Sequence, residues 1–570
     1  MGAAPVADAL LTASGRGIQL WVEDGGLRFR APPGALDPEL KAALTAAKPA
    51  LIPALPGPEG ASDSWHPLSG SQRGFWFFHQ LAPGSTAYHL PFAADVHGPF
   101  DADGFAARLR AAVQRHPILR TTIPTVDGVP VQRVHAALEP AIHIADAALE
   151  TVDDALTTHA LAPFDFAAGP LLRLLILRVA SDHHVVALTL HHVIADLSSM
   201  SLLLQELTGP PSPIPGATFA AFARDQQAFA AGPEGDAAWT RWEERLADLD
   251  WHLPLPIDHP RAPSELDRGA TLRVTLPAEL AERLEARAAA LDATPFALLL
   301  TSFSVLLQRM TRRSDFVVGV PVAGRFASRF ARCLGPFVDV VPLRLRPLAT
   351  TPFDALVRAT QRAASDALGD ARLPFSTLVR RLASPRDAKR VSTLQVLFAW
   401  QSLAPGTPAS HREFVAGASG APVPVGEATW TPRVLETGAA PAELSVTASR
   451  SQAGISVLFE YRADLFEPDT VARLAANWTH CLNEVAAGRP PETVTPQERA
   501  VIGRLDPDPA GATHATSGRH LVDAFVRIAS GHPHHPACST PAGITTYEDL
   551  SRRARELAGA LPHGARVALM

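Results

Sequence analysis

The chain has 570 residues, 47% of them hydrophobic, enough for several domains with sizeable cores. A net charge of -6 argues against a nucleic-acid binder, and three widely spaced cysteines, Cys333, Cys481 and Cys538, argue against a disulfide framework or a CxxC zinc site. The first residues, MGAAPVADALL, lack the basic start of a signal peptide, and no apolar run approaches the roughly 18–20 residues that span a bilayer. Lys41, Lys48 and Lys389 are the only lysines, and Ala and Pro abound, which fits a GC-rich bacterial genome. The expected location is therefore a reducing bacterial cytoplasm.

Residues 1–57 form a unit of their own. Residues 6–11 fit a short helix. Strand-like runs at 18–22 and 27–30 flank Asp24-Gly25-Gly26, a turn sequence that predicts a β-hairpin. Arg28 and Arg30 alternate along one strand and share a face, which is either simply solvated or able to hold an acidic peptide tail. Asp37 is placed to cap, and Pro38 to open, an Ala/Leu-rich helix that ends near Pro53. Residues 58–66 fall in and after PGPEGASDS (56–64), a linker by composition.

The long stretch that follows divides into 67–252 and 253–492. Helical runs such as 104–114 and 277–291 alternate with strand-like runs at 171–179, 184–190, 316–320 and 338–345, which implies layers of α and β structure. Pro-rich LPLPIDHPRAP (253–263) looks like a crossover between the halves. Residues 493–517 make a second linker. In 518–570, residues 521–530 and 547–561 are expected to be helices and 566–570 a strand. The pattern stops in mid-course there, as if cut from a longer protein.

The densest chemical signal is VVALTLHHVIADLSSMSLLL (185–204). An apolar run, 185–190, predicts a buried strand, and 197–207 predicts a helix. His191 and His192 stand at the strand end, where a side chain can be presented rigidly to a cleft. Neighbouring residues of an extended chain point to opposite faces, so one histidine can meet a reactant while the other packs behind it. Imidazole is suited to taking and returning a proton near neutral pH. Asp196 could hold the loop or balance a buried cation. Against this, the chain has three such pairs, His183-His184, His191-His192 and His534-His535, and a strand-end histidine is more often structural than catalytic. No GxSxG elbow, GxxxxGK[ST] phosphate loop or GxGxxG fingerprint occurs. His532, His534 and His535 lie between prolines and fit a loop better than a metal site.

HHVIADL (191–197) resembles the HHxxxDG signature of condensation domains of nonribosomal peptide synthetases. Further stretches match in the family's order. LSGSQRGFWFFHQLAPGSTAYHLP (68–91) resembles its first motif, S-x-A-Q-x-R-x-W-F, through Ser69, Gln72, Trp76 and Phe77. RHPILRTTI (115–123), the lobe-linking segment 238–263, VVGVPVAGR (317–325), LGPFVDVVPLR (334–344), LPFSTLV (373–379) and RDAKRVSTLQVLFAWQ (386–401) follow. The resemblance implies two chloramphenicol-acetyltransferase-like lobes in a V-shaped pseudo-dimer with a tunnel between them. Two carrier domains would approach from opposite ends, each with a phosphopantetheine arm, and the acceptor amine would attack the donor thioester. No metal, nucleotide or other cofactor of the chain itself is implied.

By the same resemblance His192 is the catalytic histidine, as general base or as the group that positions the amine, and His191 is structural. Asp196 is a structural anion that Arg325 pairs. Leu197 stands where the motif has Gly, and Ser198 and Ser199 follow where it usually has Trp. Asp339 replaces an Asn. Leu197, Ser199 and Asp339 are thus expected to shape the tunnel, and a bulky Leu197 points to a non-aminoacyl donor handed over by a polyketide synthase. Residues 1–57, through GIQLWVEDGGLRFRAPPGAL (17–36), resemble docking domains that bind the C-terminal tail of an upstream subunit, with Trp21, Arg28 and Arg30 as expected contacts. Residues 518–570 resemble the opening of an adenylation domain, whose nucleotide motifs would lie beyond Met570. The rivals are an epimerization-type domain, which shares HHxxxDG but follows a carrier domain, and a catalytically silent recruitment module. Heterocyclization domains have Asp where His191 stands.

Overall fold

A computed structural model describes residues 5–210, 216–261, 268–382, 394–401, 422–451, 453–505, 525, 528–540 and 543–560. These fall into two compact units, 1–493 and 494–570.

The first unit opens with helix Pro5–Gly15 and the hairpin Gln19–Glu23/Gly26–Arg30. Asp24 and Gly25, at φ 52° and 70°, form its two-residue turn, whose handedness matches the twist of the strands. Asp37 caps helix Pro38–Leu51 by accepting the Leu40 N–H at 2.8 Å, and Pro38 supplies a first residue with no donor to lose. Leu10, Leu20, Leu44 and Leu51 close a small core around Trp65, Val126 and Val131 from later in the chain.

Residues 58–66 are not the free linker that their composition suggests. Pro58–Gly60 is a single 3-10 turn, and Ser64–Pro67 is a strand paired antiparallel with Val129–Val134. Buried Asp63 accepts from Arg133 at 2.8 Å and from the Ala136 N–H at 2.9 Å. The prolines and glycines mark a turn, but Asp63 and Trp65 anchor the segment on the next domain.

The first lobe is a six-stranded sheet in the order Val423–Val425, Ala428–Arg433, His89–His97, His183–His191, Leu172–Ala180, Ala141–Asp146. Strand His183–His191 lies in its middle, and all but its first residue are buried. Val186, Leu188 and Leu190 pack under helices Ala102–Arg115 and Leu197–Thr208, while Val185 and Ala187 face helix Val152–Leu161. A strand covered on both faces reads as an unbroken apolar run, which is why its sequence shows no alternation.

The second lobe repeats the plan with Gly269–Pro277, Gly454–Arg462, Leu444–Ser451, Val396–Gln401, Phe316–Val322 and Asp339–Leu345. Its core surrounds Phe303, Phe398 and Trp478, whose indole N–H donates to Ser302 Oγ at 2.9 Å. Leu253 and Leu255 of the Pro-rich crossover are buried in this core. The span 253–492 does not stay in one lobe, because Ala428–Arg433 pairs antiparallel with His89–His97 and extends the first sheet. Its inward residues Ala428 and Trp430 belong to the first lobe's core.

In the second unit, helix Pro496–Leu505 occupies part of the expected linker at 493–517. Strands Pro536–Thr540 and Gly543–Thr546 pair antiparallel, and helix Tyr547–Ala560 follows. The expected helix at 521–530 is described only in part, and the strand at 566–570, residues 506–517 and residues 386–393 lie outside the described residues. No helix among the described residues is long and apolar enough to cross a membrane.

Candidate active site

The central strand ends at His191, where the Ile194 N–H closes a turn on the His191 carbonyl at 3.0 Å. The His192 N–H is taken by the Tyr88 carbonyl at 2.8 Å. The two imidazoles diverge as alternation requires. His191 is 5% exposed; its Nδ1 accepts the Val193 N–H at 3.0 Å, and its ring meets Phe166 and Phe164 edge-on. Burial, reinforced by His89 and His192, pushes its pKa well below the ordinary histidine value. It is therefore a neutral, packed ring that accepts through Nδ1.

His192 is half-buried and stacks on Phe75, with ring centroids 4.8 Å apart. Its Nδ1 is sealed from solvent without a hydrogen-bond partner, whereas Nε2 is neither sealed nor bonded among the described residues. Burial lowers its pKa, against the opposing pull of the Asp196 carboxylate. The ring is thus neutral at neutral pH, and of its two nitrogens only Nε2 is not sealed away.

Asp196 stands at the foot of this loop and makes no bond to His192. It caps helix Leu197–Thr208, accepting from the Ser199 N–H and from Ser199 Oγ, each at 2.8 Å. Arg325 of the second lobe donates to both its oxygens, at 2.6 and 2.9 Å, and lies over the Phe337 ring at 4.3 Å. The Phe337 N–H adds a bond at 3.2 Å. A buried carboxylate needs this many donors, and the planar guanidinium fork supplies two in fixed geometry.

Ser199 is not a wall residue. It is 1% exposed and its hydroxyl is part of the Asp196–Arg325 knot, with the Gly335 peptide as a further partner. A side chain on the third residue of a helix capped by Asp196 points to the cap, not to a passage beyond it. Leu197 is half-buried and belongs to none of the hydrophobic clusters. Asp339 accepts from the Val340 N–H at 2.8 Å and the Phe375 N–H at 3.3 Å, so it ties strand Asp339–Leu345 to helix Phe375–Leu382. Burial pushes its carboxyl up to about 7.

Sequence reasoning missed Phe75 and Tyr88, although both lie in the 68–91 stretch. The helical phase carries the signal: helix Gly70–Leu81, capped by Ser69, turns Gln72, Phe75 and Trp76 inward, and Phe77 is 53% exposed. Gln72 is buried and donates to the Val193 carbonyl at 3.1 Å, bracing the histidine loop.

On the N-terminal hairpin, Trp21 pairs across the strands with Arg28, and Arg30 lies on the same face. Both arginines are exposed, and Arg28 reaches Glu23 only at 3.7 Å. Asp95, His97 and His183 cluster closely enough to suggest a metal site. Arg433 already meets both Asp95 oxygens, however, which opposes a cation there.

A family model described as the condensation domain matches residues 63–494, and one described as the TubC N-terminal docking domain matches residues 6–55. A linear gramicidin synthase protein of Brevibacillus parabrevis is 30% identical over 88% of this chain and 6% of its own length. Phosphinothricin tripeptide synthetase PhsB of Streptomyces viridochromogenes is 30% identical over 93% of this chain and 46% of its own. The chain thus spans less than half the length of these relatives. A four-domain nonribosomal peptide synthetase bound to AMP and glycine superposes with a TM-score of 0.69 at 21% identity, covering 87% of this chain and 39% of that one. The condensation domain of the monacolin K polyketide synthase MokA gives 0.64 at 21% identity, over 75% and 99%. At these identities the likeness shows the fold, two chloramphenicol-acetyltransferase-like lobes.

Proposed function

The chain belongs to the condensation-domain family, and on that footing we propose that it forms an amide between two carrier-bound substrates at His192. The supporting observation is one half-buried imidazole at the end of the central strand, stacked on Phe75, whose Nδ1 is sealed and whose Nε2 is not. The amine nitrogen of the acceptor attacks the donor thioester carbon, and the C–N bond forms as the carbonyl becomes an oxyanion. Collapse breaks the C–S bond; the proton lost by the amine passes through His192 Nε2 to the departing thiolate. A neutral ring, kept so by burial, can accept that proton. Asp196 and Arg325 neutralise each other and hold the loop without joining the transfer.

The hairpin face of Trp21, Arg28 and Arg30 receives the tail of the upstream subunit, as the docking-domain match and the exposed cations favour. Residues 518–570 are the opening of an adenylation domain. Leu197, half-buried and outside the packed clusters, stands free to narrow the donor side and favours a polyketide or fatty acyl donor over a peptidyl one. The test loads synthetic acyl and peptidyl carriers as donors and reads amide yield by mass spectrometry. Wild type should favour the acyl donor, and His192→Ala should lose about 100-fold or more, the usual scale for removing a general base. Faster peptidyl turnover would refute the donor class, and an unimpaired His192→Ala would refute the site.

A further inference from the structure

Two serines from different first-lobe helices hold the same turn, 335–337, which leads into the second-lobe strand Asp339–Leu345 and whose Phe337 ring is packed in the first lobe's core. Ser71, in the first turn of helix Gly70–Leu81, donates to the Pro336 carbonyl at 2.8 Å. Ser199, in the first turn of helix Leu197–Thr208, lies 2.8 Å from the Gly335 carbonyl and accepts the Gly335 N–H at 3.0 Å. A hydroxyl has one hydrogen and two lone pairs. In Ser199 the Gly335 N–H and an Arg325 N–H, at 2.9 Å, fill both lone pairs, and the one hydrogen serves either Asp196 or Gly335. The turn has no slack of its own. Gly335 sits at φ 153°, and a Cβ there would collide with the Phe219 ring. The next amide, that of Phe337, is shared between the Gly335 carbonyl at 3.0 Å and Asp196 at 3.2 Å.

Both helices also lead to His192. The first carries Phe75, one helical turn from Ser71, on which the imidazole stacks. The second is joined to His192 by the five-residue step to Leu197, with Asp196 as its cap. The turn 335–337 is therefore fixed to the two supports of the one ring, by bonds that span 265 and 136 residues of chain.

We propose that Ser71 and Ser199 act together as positioning residues, clamping turn 335–337, the lead-in to second-lobe strand Asp339–Leu345, onto the two helices that hold the His192 ring. The clamp keeps the second-lobe wall at one separation from the ring, so that a substrate delivered along it meets Nε2 in register. This rests on the amide-forming reading above, but its first test does not.

Hydrogen exchange of the Gly335 and Phe337 amides is measured in wild type, Ser71→Ala, Ser71→Thr and Ser199→Ala, with thermal melting as a control for folding. Both alanine variants should speed exchange at 335–337. Ser71→Ala should do so although its own bond is to a carbonyl, and Ser71→Thr, which keeps the hydroxyl, should stay near wild type. Unchanged exchange in Ser71→Ala overturns the clamp, whatever the activity. The second test is a double-mutant cycle on single-turnover amide formation. Ser71→Ala should cost about 5-fold in rate, the worth of one hydrogen bond, and Ser199→Ala, which removes three, should cost more, with carrier KM within about 2-fold in both. The double variant should be little slower than the worse single one, because both grip one turn. Fully additive losses, or a KM effect alone, overturn the inference. A wild type that makes no amide from any donor, with the exchange result intact, overturns the amide reading and leaves the clamp standing.

Discussion

The docking hairpin and the His192 loop each join a strand end to a tight turn and each involve arginine, carried by the hairpin itself in one case and brought in from Arg325 in the other, yet they dispose of charge in opposite ways. At the hairpin, Arg28 and Arg30 stand in solvent, and Arg28 has only a loose contact with Glu23 at 3.7 Å. At the loop, Arg325 gives two bonds to a carboxylate that is itself 4% exposed. Exposed cations are free to meet a partner and contribute little to stability. A buried pair does the reverse: it is committed to the fold, and breaking it strands a charge.

Removing a partner at each place sharpens the contrast. Arg325→Met should lower the unfolding free energy by about 3–5 kcal/mol, the cost of leaving a buried charge alone, read as a fall in the denaturant midpoint. Equal stability with wild type would mean that Asp196 is served by its other donors.

Acid should strike the histidine side of the molecule next. Burial lowers the pKa of His89 and of His159 to about 4, and His191 lies well below its usual value. These rings are neutral in the folded state, while the unfolded chain binds protons below about 6.5. Their contribution is complete above pH 6.5 and is lost as pH falls towards 4, on the order of 1 kcal/mol per pH unit for each of His89 and His159. Urea melts at pH 7.5 and 5 should show this fall; a flat profile would mean that the cluster is hydrated. The hairpin has no such ring and should not contribute to the fall.

The smallest effect on stability belongs to the hairpin. Arg28→Glu with Arg30→Glu should change folding by less than about 0.5 kcal/mol. It should weaken capture of an acidic peptide tail, read by fluorescence anisotropy, and flatten the salt dependence of that capture. Undiminished capture would remove these arginines from the docking face.

The same contrast explains what the sequence discloses. The hairpin and the Asp37-capped helix are legible because their causes lie within a few residues: Asp24 and Gly25 at positive φ, Asp37 bonded to the Leu40 N–H. The buried strand is legible because its apolar run is continuous. The role of Ser199 is hidden, since its partner atoms lie on Arg325 and Gly335, more than 120 residues away, and on its own cap. The strand Ala428–Arg433 is hidden for a related reason: nothing local says that it returns to the first lobe's sheet. At residues 58–66 local signals mislead, because Pro58 and Gly60 shape a turn while Asp63 and Trp65 decide where the segment lies.

The most direct test is the pH dependence of single-turnover amide formation, wild type beside His192→Ala. If one desolvated imidazole takes the amine proton, the wild-type rate should be half-maximal below the ordinary histidine value of 6.5, and that limb should vanish from the variant. The same limb at the same pH in both proteins would contradict the assignment of the proton to this ring.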